Sequence, residues 1–237
     1  MSCEQIGLVK TSLIDYPGEV AAVLFLPGCN LRCPYCHNPE LVAPPYPADL
    51  IPRSEVMAFL KKRKKVLGGV CITGGEPLLH VDLPGLVEEI HSLELKVKLD
   101  TNGSFPGRLY PESYDYIAMD FKTSPGKYGV VKNRNDDQTR GALAEAVLEA
   151  AEKIIRSGVP HEFRTTVVPG IVTPEDIREI AEILRGAERY VLAGFRPGKT
   201  LDPAYEDRLT YTEAELNAMC EAVTAAGVPC SLRFNSR

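Results

Sequence analysis

The sequence predicts an α/β fold in which mostly parallel strands, each followed by a helix, form a partial (β/α)6 barrel. Short apolar runs alternate along the chain with longer segments of helical periodicity. Several of these runs are apolar at consecutive positions, as expected for strands that are buried on both faces of a sheet. No GxGxxG pattern follows the first run, which favours a barrel or part-barrel over an open doubly wound sheet.

The predicted strands are short apolar runs, most of which end at glycine, proline or a polar turn. They cover residues 20–26, 70–73, 97–101, 116–121, 163–168, 190–195 and 229–234. The predicted helices lie between them, at residues 54–67, 86–93 and 142–157, from 174 onward and from 213 to 226. Ser54 is a candidate N-cap, Thr173 precedes a proline at the first helical position, and Thr212 and Glu215 form a capping box.

Composition and charge exclude several classes of protein. The 237 residues are 44% hydrophobic and 25% charged, which is typical of one globular domain and excludes a disordered chain. The net charge of −5 gives no reason to expect binding to nucleic acid. No apolar run approaches the ~18–20 residues of a membrane span, and the first ten residues do not resemble a signal peptide. We therefore expect a single cytoplasmic domain over residues 1–237, without nucleic-acid or membrane partners.

Three of the seven cysteines, Cys29, Cys33 and Cys36, fall within eight residues in a CxxxCxxC pattern. Three thiolates on so short a loop can converge on one soft metal centre. Iron–sulfur clusters are usually held by four cysteines, so three would leave one iron of a [4Fe–4S] cluster without a protein ligand. An open metal position is where a substrate or cofactor binds.

Other readings of the cysteine loop remain open at this point. A structural zinc held by the three cysteines and His37 would require the adjacent Cys36 and His37 to chelate the same ion, which is poor geometry. Residues 33–37 also match CxxCH, the attachment signal for c-type haem, which would require export and a distal ligand. Either reading would describe a binding module without turnover. In a third reading the cysteines are simply buried side chains and bind no cofactor.

Polar and glycine-rich clusters follow the predicted strands. They occupy residues 28–40, 74–78, 100–103, 120–122, 169–171 and 196–200. Because the carboxyl ends of parallel strands lie on one rim of such a fold, these clusters predict a single active site.

The cysteine loop and the following Gly74-Gly75-Glu76-Pro77 resemble the radical S-adenosylmethionine (SAM) superfamily. Further segments are similar to the glycyl-radical-enzyme activases, and most similar to the long form of the activating proteins of anaerobic ribonucleoside-triphosphate reductase, which are relatives of the pyruvate formate-lyase activases. These segments are residues 12–18, 26–30, 36–40, 100–103 and 119–122.

The resemblance implies a [4Fe–4S] cluster and SAM as cofactors, with flavodoxin or ferredoxin as the electron donor. It implies cleavage of SAM to a 5′-deoxyadenosyl radical, which abstracts hydrogen from a glycine Cα of a partner glycyl radical enzyme, with anaerobic ribonucleotide reductase favoured. The cofactor supplies this chemistry, so no catalytic acid or base is expected. The alternative within the superfamily is an enzyme that acts on a small molecule.

The resemblance also assigns roles to individual residues. The cluster ligands are Cys29, Cys33 and Cys36. The expected SAM contacts are Tyr35, His37, Gly74, Gly75, Glu76, Asp120, Lys122 and Arg196. A monovalent cation is expected at Asp100, Thr101 and Asp120. Asp15 is expected to contact the partner enzyme, together with Arg164, whose guanidinium would be costly to bury unpaired. His80, His91 and His161 show no ligand-like spacing, so we expect them to be structural.

Overall fold

The structure, a computed structural model, describes residues 1–131 and 137–233. The strands in these residues are β1 (Gln5–Ser12), β2 (Ala21–Leu26), β3 (Ile51–Pro52), β4 (Gly69–Gly74), β5 (Lys96–Thr101), β6 (Tyr116–Asp120), β7 (His161–Val167), β8 (Tyr190–Gly194) and β9 (Cys230–Arg233). The α-helices are α1 (Arg53–Arg63), α2 (Leu83–Ser92), α3 (Asp137–Ser157), α4 (Pro174–Ile183) and α5 (Glu213–Ala225).

The described chain divides into two compact units. The first unit contains Met1–Asn30, Asn38–Thr101 and Arg108–Ile117. The second contains Leu31–His37, Asn102–Gly107 and the chain from Ala118 onward. The boundary at Asn30 falls inside the cysteine loop, so Cys29 belongs to the first unit and the other two motif cysteines to the second. The expectation of a single domain stays a prediction.

In the first unit the strands follow the order β3-β1-β2-β4-β5. Strands β2, β4 and β5 pair in parallel, whereas β1 runs antiparallel to both β2 and β3. Almost every side chain of β2 is buried, as the continuous run AAVLFL predicts. The sequence analysis did not predict β1, because this strand mixes buried and exposed side chains and so lacks a continuous apolar run.

Two helices of the first unit begin at positions other than those predicted. Helix α1 has Pro52 at its N-cap and no side-chain cap, so the prediction of Ser54 as the cap was wrong. A proline with its fixed φ is well suited to the start of a helix. Helix α2 begins at Leu83, three residues earlier than predicted, and follows Asp82 at its N-cap. Its buried side chains are Leu83, Leu86, Val87 and Ile90.

In the second unit the strands follow the order β6-β7-β8-β9, and β7, β8 and β9 pair in parallel. The predicted cap of α4, Thr173, and the predicted capping box of α5, Thr212 with Glu215, are both present. Thr173 also forms a capping box, with Asp176, which was not predicted. Phe234, the predicted end of the last strand, lies outside the described residues. The predicted α/β class with mostly parallel strands is confirmed.

The described helices include no candidate membrane span. Across residues 1–131 and 137–233, no helix is both long and apolar enough to cross a bilayer.

Candidate cofactor-binding residues

The first motif cysteine follows β2 on a backbone that is held in place by hydrogen bonds. Gly28 N donates to Leu41 O at 2.7 Å, and Cys29 N donates to Val42 O at 3.2 Å. Gly28 has a φ of 94°, a left-handed conformation that favours glycine. These contacts set the position of Cys29, whose side chain is half-buried.

The glycine pair after β4 packs against the backbone of this same loop. A Cβ on Gly75 would lie 2.0 Å from the carbonyl oxygen of Gly28, and one on Gly74 would lie 2.6 Å from Leu26 N and O. Glu76 N also donates to Gly28 O at 2.8 Å. Close approach of two protein segments therefore requires both glycines, whatever further contact they make with SAM.

Glu76 is fully buried and has two partners in the first unit. Its Oε1 accepts from Leu78 N at 3.0 Å and from the Thr101 hydroxyl at 2.8 Å. The first of these bonds caps a short 3-10 helix, and the second ties the end of β5 to the segment that follows β4. Glu76 and Thr101, predicted as contacts of SAM and of a cation respectively, thus contact each other.

Lys98 is a residue of this unit that the sequence analysis missed. It is 1% exposed on β5, and its Nζ forms an ion pair with Asp100. The same Nζ lies 3.7 Å from Cys71 Sγ. Residues two apart on a strand face the same side, so the charged pair within KVKLD was a usable signal. An ammonium group thus already balances Asp100, which was predicted to bind a monovalent cation.

The other two motif cysteines lie on a tight turn in the second unit. Cys36 N donates to Cys33 O at 3.0 Å. Residues after β8 hold the turn, since Asp202 N donates to Pro34 O at 2.9 Å and Leu201 N donates to Cys36 O at 3.0 Å. Cys33 is buried and Cys36 is half-buried.

Tyr35 and His37, the predicted adenine contacts, extend from this turn. Tyr35 is buried, and its hydroxyl donates to Lys122 O at 3.2 Å. The His37 ring stacks on Phe195 with 5.6 Å between ring centroids, and its Nδ1 lies 3.1 Å from Lys199 O. A cavity of about 290 Å³ is lined by His37 and by Arg196, and so brings two of the predicted SAM contacts together.

Asp120 lies between two cations at the end of β6. Arg164 Nε donates to Oδ1 at 2.7 Å, and Lys122 Nζ donates to Oδ2 at 2.8 Å. Burial by itself would raise the pKa of Asp120, but Arg164 and Lys122 outweigh it and hold this pKa well below its usual range. Burial likewise opposes the charge of Lys122, but the Asp120 carboxylate holds the pKa of the ammonium above its ordinary value. Arg164, which was predicted to contact the partner enzyme, thus forms an ion pair with Asp120.

Asp15 lies in a turn after β1, in the first unit. The Ser12 hydroxyl donates to Asp15 Oδ2 at 2.5 Å and accepts from the backbone N of Ile14 and of Asp15, both at 3.2 Å. The tip of this turn carries two apolar side chains, Leu13 and Ile14, which are 75% and 78% exposed. The sequence analysis selected Asp15 and missed this apolar tip, which could have been recognised as an apolar pair between a polar strand end and a YPG turn.

All three histidines that were expected to be structural have hydrogen-bond partners in the protein. His91 Nε2 lies 3.0 Å from Asp115 Oδ2, and His161 Nδ1 lies 2.8 Å from Val159 O. Neither histidine is near a predicted cofactor residue in sequence. The third, His80, is buried, and its Nε2 lies 2.9 Å from Pro27 O.

Comparisons with known proteins define the family. The model of the radical SAM superfamily matches residues 23–190. A Methanocaldococcus jannaschii protein named for glycyl-radical enzyme activation is 31% identical over 235 residues, which cover 90% of this chain and 88% of that protein. The pyruvate formate-lyase-activating enzyme of Staphylococcus aureus is 28% identical over 228 residues, 86% of each chain. SuiB of Streptococcus suis, solved with S-adenosylmethionine bound, aligns with a TM-score of 0.65 at 17% identity over 90% of this chain and 52% of SuiB.

The chain belongs to the radical SAM superfamily, and the predicted radical SAM fold is confirmed. Its cofactors are accordingly a [4Fe–4S] cluster and SAM. The donor chemistry of the chain fits this cluster, because Cys29, Cys33 and Cys36 are thiols rather than disulfides. Both half-buried thiols of the motif, Cys29 and Cys36, are accessible to an incoming cluster.

Proposed function

We propose that the protein is an activase that installs a glycyl radical in a partner enzyme, with anaerobic ribonucleotide reductase as the favoured partner. The observation that carries this proposal is the extent of the match to proteins named as activating enzymes. The alignments run over 235 and 228 residues, and so extend well beyond the 23–190 region common to the superfamily. We further propose a cytoplasmic location and flavodoxin or ferredoxin as the electron donor.

In this proposal Cys29, Cys33 and Cys36 would hold the cluster, and the iron left without a cysteine ligand would be open to SAM. When bound, the cofactors supply a one-electron cleavage of SAM that yields methionine and a 5′-deoxyadenosyl radical, the species that abstracts hydrogen from a glycine Cα. The chain's own residues bind and orient these groups and keep water away from them. Backbone hydrogen bonds hold Gly28 and Cys29 in the first unit and Cys36 in the second. These bonds support a role for the cysteines as ligands in fixed positions.

Charge balance in the second unit supports SAM binding there. The Asp120 carboxylate fixes the Lys122 ammonium at 2.8 Å and the Arg164 guanidinium at 2.7 Å, so these three side chains together carry one net positive charge. Arg164 Nη1 also lies 3.9 Å from Oε1 of the buried Glu162. A positively charged group is suited to the SAM carboxylate, whereas a lone lysine side chain would be mobile. Asp120 is then a positioning residue for Lys122. We also propose that His37 and Arg196 contact the adenosine portion, since they line one cavity.

In the first unit, Gly74, Gly75 and Glu76 are the proposed contacts of the SAM amino group. The backbone of Gly74 packs against Leu26, and that of Gly75 and Glu76 against Gly28. These contacts support a binding segment with a fixed backbone. For a monovalent cation, Asp100, Thr101 and Asp120 remain the proposed ligands. The ion pairs of Asp100 with Lys98 and of Asp120 with Lys122 weaken that part of the proposal, because protein ammonium groups already balance both carboxylates.

Partner binding is proposed for the turn that contains Asp15. Its apolar tip, Leu13 and Ile14, is among the most exposed apolar surface of the first unit, and such surface is typical of protein contacts. Arg164 was also expected to contact the partner. Its ion pair with Asp120 favours a role inside the cofactor site instead.

The experiment uses protein reconstituted with iron and sulfide without oxygen, then given SAM and dithionite. Chromatography measures 5′-deoxyadenosine, and electron paramagnetic resonance measures a glycyl doublet after mixing with anaerobic ribonucleotide reductase or, separately, pyruvate formate-lyase. We expect deoxyadenosine release and a doublet in the reductase. A doublet in pyruvate formate-lyase alone would keep the activase class and overturn the favoured partner. Deoxyadenosine without a doublet in either enzyme would favour a small-molecule substrate.

The control variants separate cluster loss from misfolding. Cys33→Ser should abolish deoxyadenosine release, whereas Cys220→Ser, on α5 and outside the motif, should retain it. Both proteins should keep the helical circular dichroism of the parent. A colourless protein with one zinc, or a sharp Soret band, would overturn the proposal in favour of a binding module.

A further inference from the structure

Three potential metal ligands that are distant in sequence lie together in the first unit. They are Cys3, just before β1, and His80 and Asp82, on the segment that leads into α2. The ligand atoms of these side chains all lie within 4.8 Å of one another. Cys3 is fully buried, His80 is 2% exposed, and Asp82 is half-buried. None of them takes part in the proposed cofactor site.

The His80 ring is oriented as a metal ligand would be. Its Nε2 lies 2.9 Å from the carbonyl oxygen of Pro27, and since a carbonyl can only accept, Nε2 carries the proton. In the neutral ring Nδ1 then presents a lone pair. Among the residues that the structure describes, this buried Nδ1 has no partner in hydrogen-bonding geometry, although the Ser2 backbone also lies close to the ring. Metal-bound histidines characteristically use one ring nitrogen for the metal and give the other N–H to a carbonyl or carboxylate.

Asp82 is fixed next to Cys3 by the backbone. Cys3 N donates to Oδ1 at 2.9 Å and to Oδ2 at 3.0 Å, and Arg53 Nη1 lies 3.5 Å from Oδ2. A carboxylate has about four lone-pair positions, and one of them also accepts from the Cys3 thiol. Loss of the thiol proton when a metal binds would free that position for the metal. The N-terminal segment contacts this site at a further point, since Val81 N donates to Met1 O at 3.1 Å.

We propose that Cys3 Sγ, His80 Nδ1 and an Asp82 carboxylate oxygen form a zinc site. One thiolate, one imidazole and one carboxylate are all donors that Zn²⁺ accepts, and a water molecule completes the tetrahedron beside half-buried Asp82. Metal–ligand bonds of about 2.0–2.3 Å place tetrahedral donors about 3.5 Å apart. The donors therefore need to close by at most about 1.3 Å, which rotation of the side chains can supply.

The site has a structural role for the loop that carries Cys29. The ring of His80 holds the carbonyl of Pro27, two residues before that cysteine. Zinc would join this histidine to Cys3 and so connect the segment before β1 to the start of the cysteine loop. The proposed zinc thus stabilises the start of the cysteine loop from a position outside the cluster.

The test uses the holoenzyme, reconstituted with iron and sulfide, dialysed against ZnCl₂ and freed of unbound metal. Mass spectrometry of the metals should give one zinc per chain in addition to the iron of the cluster. X-ray absorption at the zinc edge should show one sulfur and two to three nitrogen or oxygen ligands. Three sulfur ligands would mean that zinc occupies the motif cysteines, and that result, like the absence of bound zinc, would overturn the proposal.

Two variants and a control complete the test. Cys3→Ser and His80→Phe should each reduce zinc to below about a tenth of the parent value while the iron content is retained. Cys3→Ser keeps a side chain that can hydrogen-bond to Asp82, so it remains informative if His80→Phe does not fold. Cys220→Ser, a half-buried cysteine of the second unit, should bind zinc like the parent. Zinc that persists in Cys3→Ser, or that is lost in Cys220→Ser, would overturn the assignment.

Discussion

Arg164 Nε donates to Asp120 Oδ1 at 2.7 Å, although the two residues are 44 positions apart in the chain. Lys122 Nζ donates to the other carboxylate oxygen, so one carboxylate pairs with two cations. The Arg164 side chain is 16% exposed and the Lys122 side chain is 22% exposed. Both cations are thereby held in fixed positions at the end of β6. Asp120 is the residue that holds both cations in place, as the proposed site for the SAM carboxylate requires.

The first prediction concerns the stability that Asp120 contributes. Asp120→Asn leaves Lys122 and Arg164 without their shared carboxylate, and we expect the free energy of unfolding to fall by about 2 kcal/mol, less than for a fully buried pair because solvent reaches the group. Urea denaturation followed by circular dichroism measures the change. Asp207→Asn, an exposed acid of the same unit, should change the value by less than about 0.5 kcal/mol.

The same variant gives a defined pH dependence. The pKa of Asp120 is lower in the folded than in the unfolded chain, so its ionised form stabilises the fold above the unfolded value of about 4. The difference in free energy of unfolding between the parent and Asp120→Asn should be constant from about pH 8 to pH 5 and shrink as the pH falls further. A difference that grows on acidification would contradict the charge arrangement described here.

The second prediction concerns the close approach of Gly75 to the cysteine loop. In Gly75→Ala the new Cβ would meet the Gly28 carbonyl oxygen at 2.0 Å, and backbone cannot move aside easily. We expect a loss of about 2–3 kcal/mol in stability and a lower iron content after reconstitution, because Cys29 is displaced with its neighbour. Iron analysis and urea denaturation measure both effects.

Gly126→Ala is the matched control for Gly75→Ala. A Cβ at this position would meet no heavy atom of the described chain within 4 Å. Its stability should remain within about 0.5 kcal/mol of the parent, with full iron content. If Gly75→Ala also retained full stability and iron, the tight packing between the two loops would have no energetic importance.

The third prediction concerns the buried ion pair on β5. Lys98→Met removes the ammonium that pairs with Asp100, and breaking such a pair from one side costs about 3 kcal/mol. The double variant Lys98→Met/Asp100→Asn removes both charges and should recover at least half of that loss. A double-mutant cycle in urea measures the coupling. Additive effects of the two single substitutions would show that the pair is not coupled.

The fourth prediction separates partner binding from SAM cleavage. Leu13→Ser and Ile14→Ser change exposed side chains, so we expect unchanged stability and unchanged deoxyadenosine release. If the turn docks on the partner, each substitution should raise the partner concentration needed for half-maximal glycyl radical by about 5- to 10-fold, as for contacts worth more than 1 kcal/mol.

Leu209→Ser provides the comparison for the apolar tip. Leu209 is 85% exposed and lies in the second unit, outside the proposed docking turn. Its substitution should leave the dependence on partner concentration unchanged. Equal loss of radical in Leu13→Ser and Leu209→Ser would indicate a general effect of surface apolar residues, and the docking assignment would fail.

Local patterns account for what could be predicted. The cysteine motif lies within eight residues, and the capping boxes of α4 and α5 lie within four, so both are encoded by short-range spacing. The strands buried on both faces were found as apolar runs. Strand β1 was missed because its buried and exposed positions follow no regular alternation and it has no continuous apolar run.

The sequence alone determined the superfamily, the thiols available to the cluster and most of the strands, because these depend on residues close together in the chain. Only the tertiary structure decided that Arg164 pairs with Asp120, that Glu76 contacts Thr101, and that Cys3 lies beside His80. Such pairs form when packed strands and loops bring distant residues together. Their side chains acquire partners through burial and charge compensation, which spacing along the chain does not record.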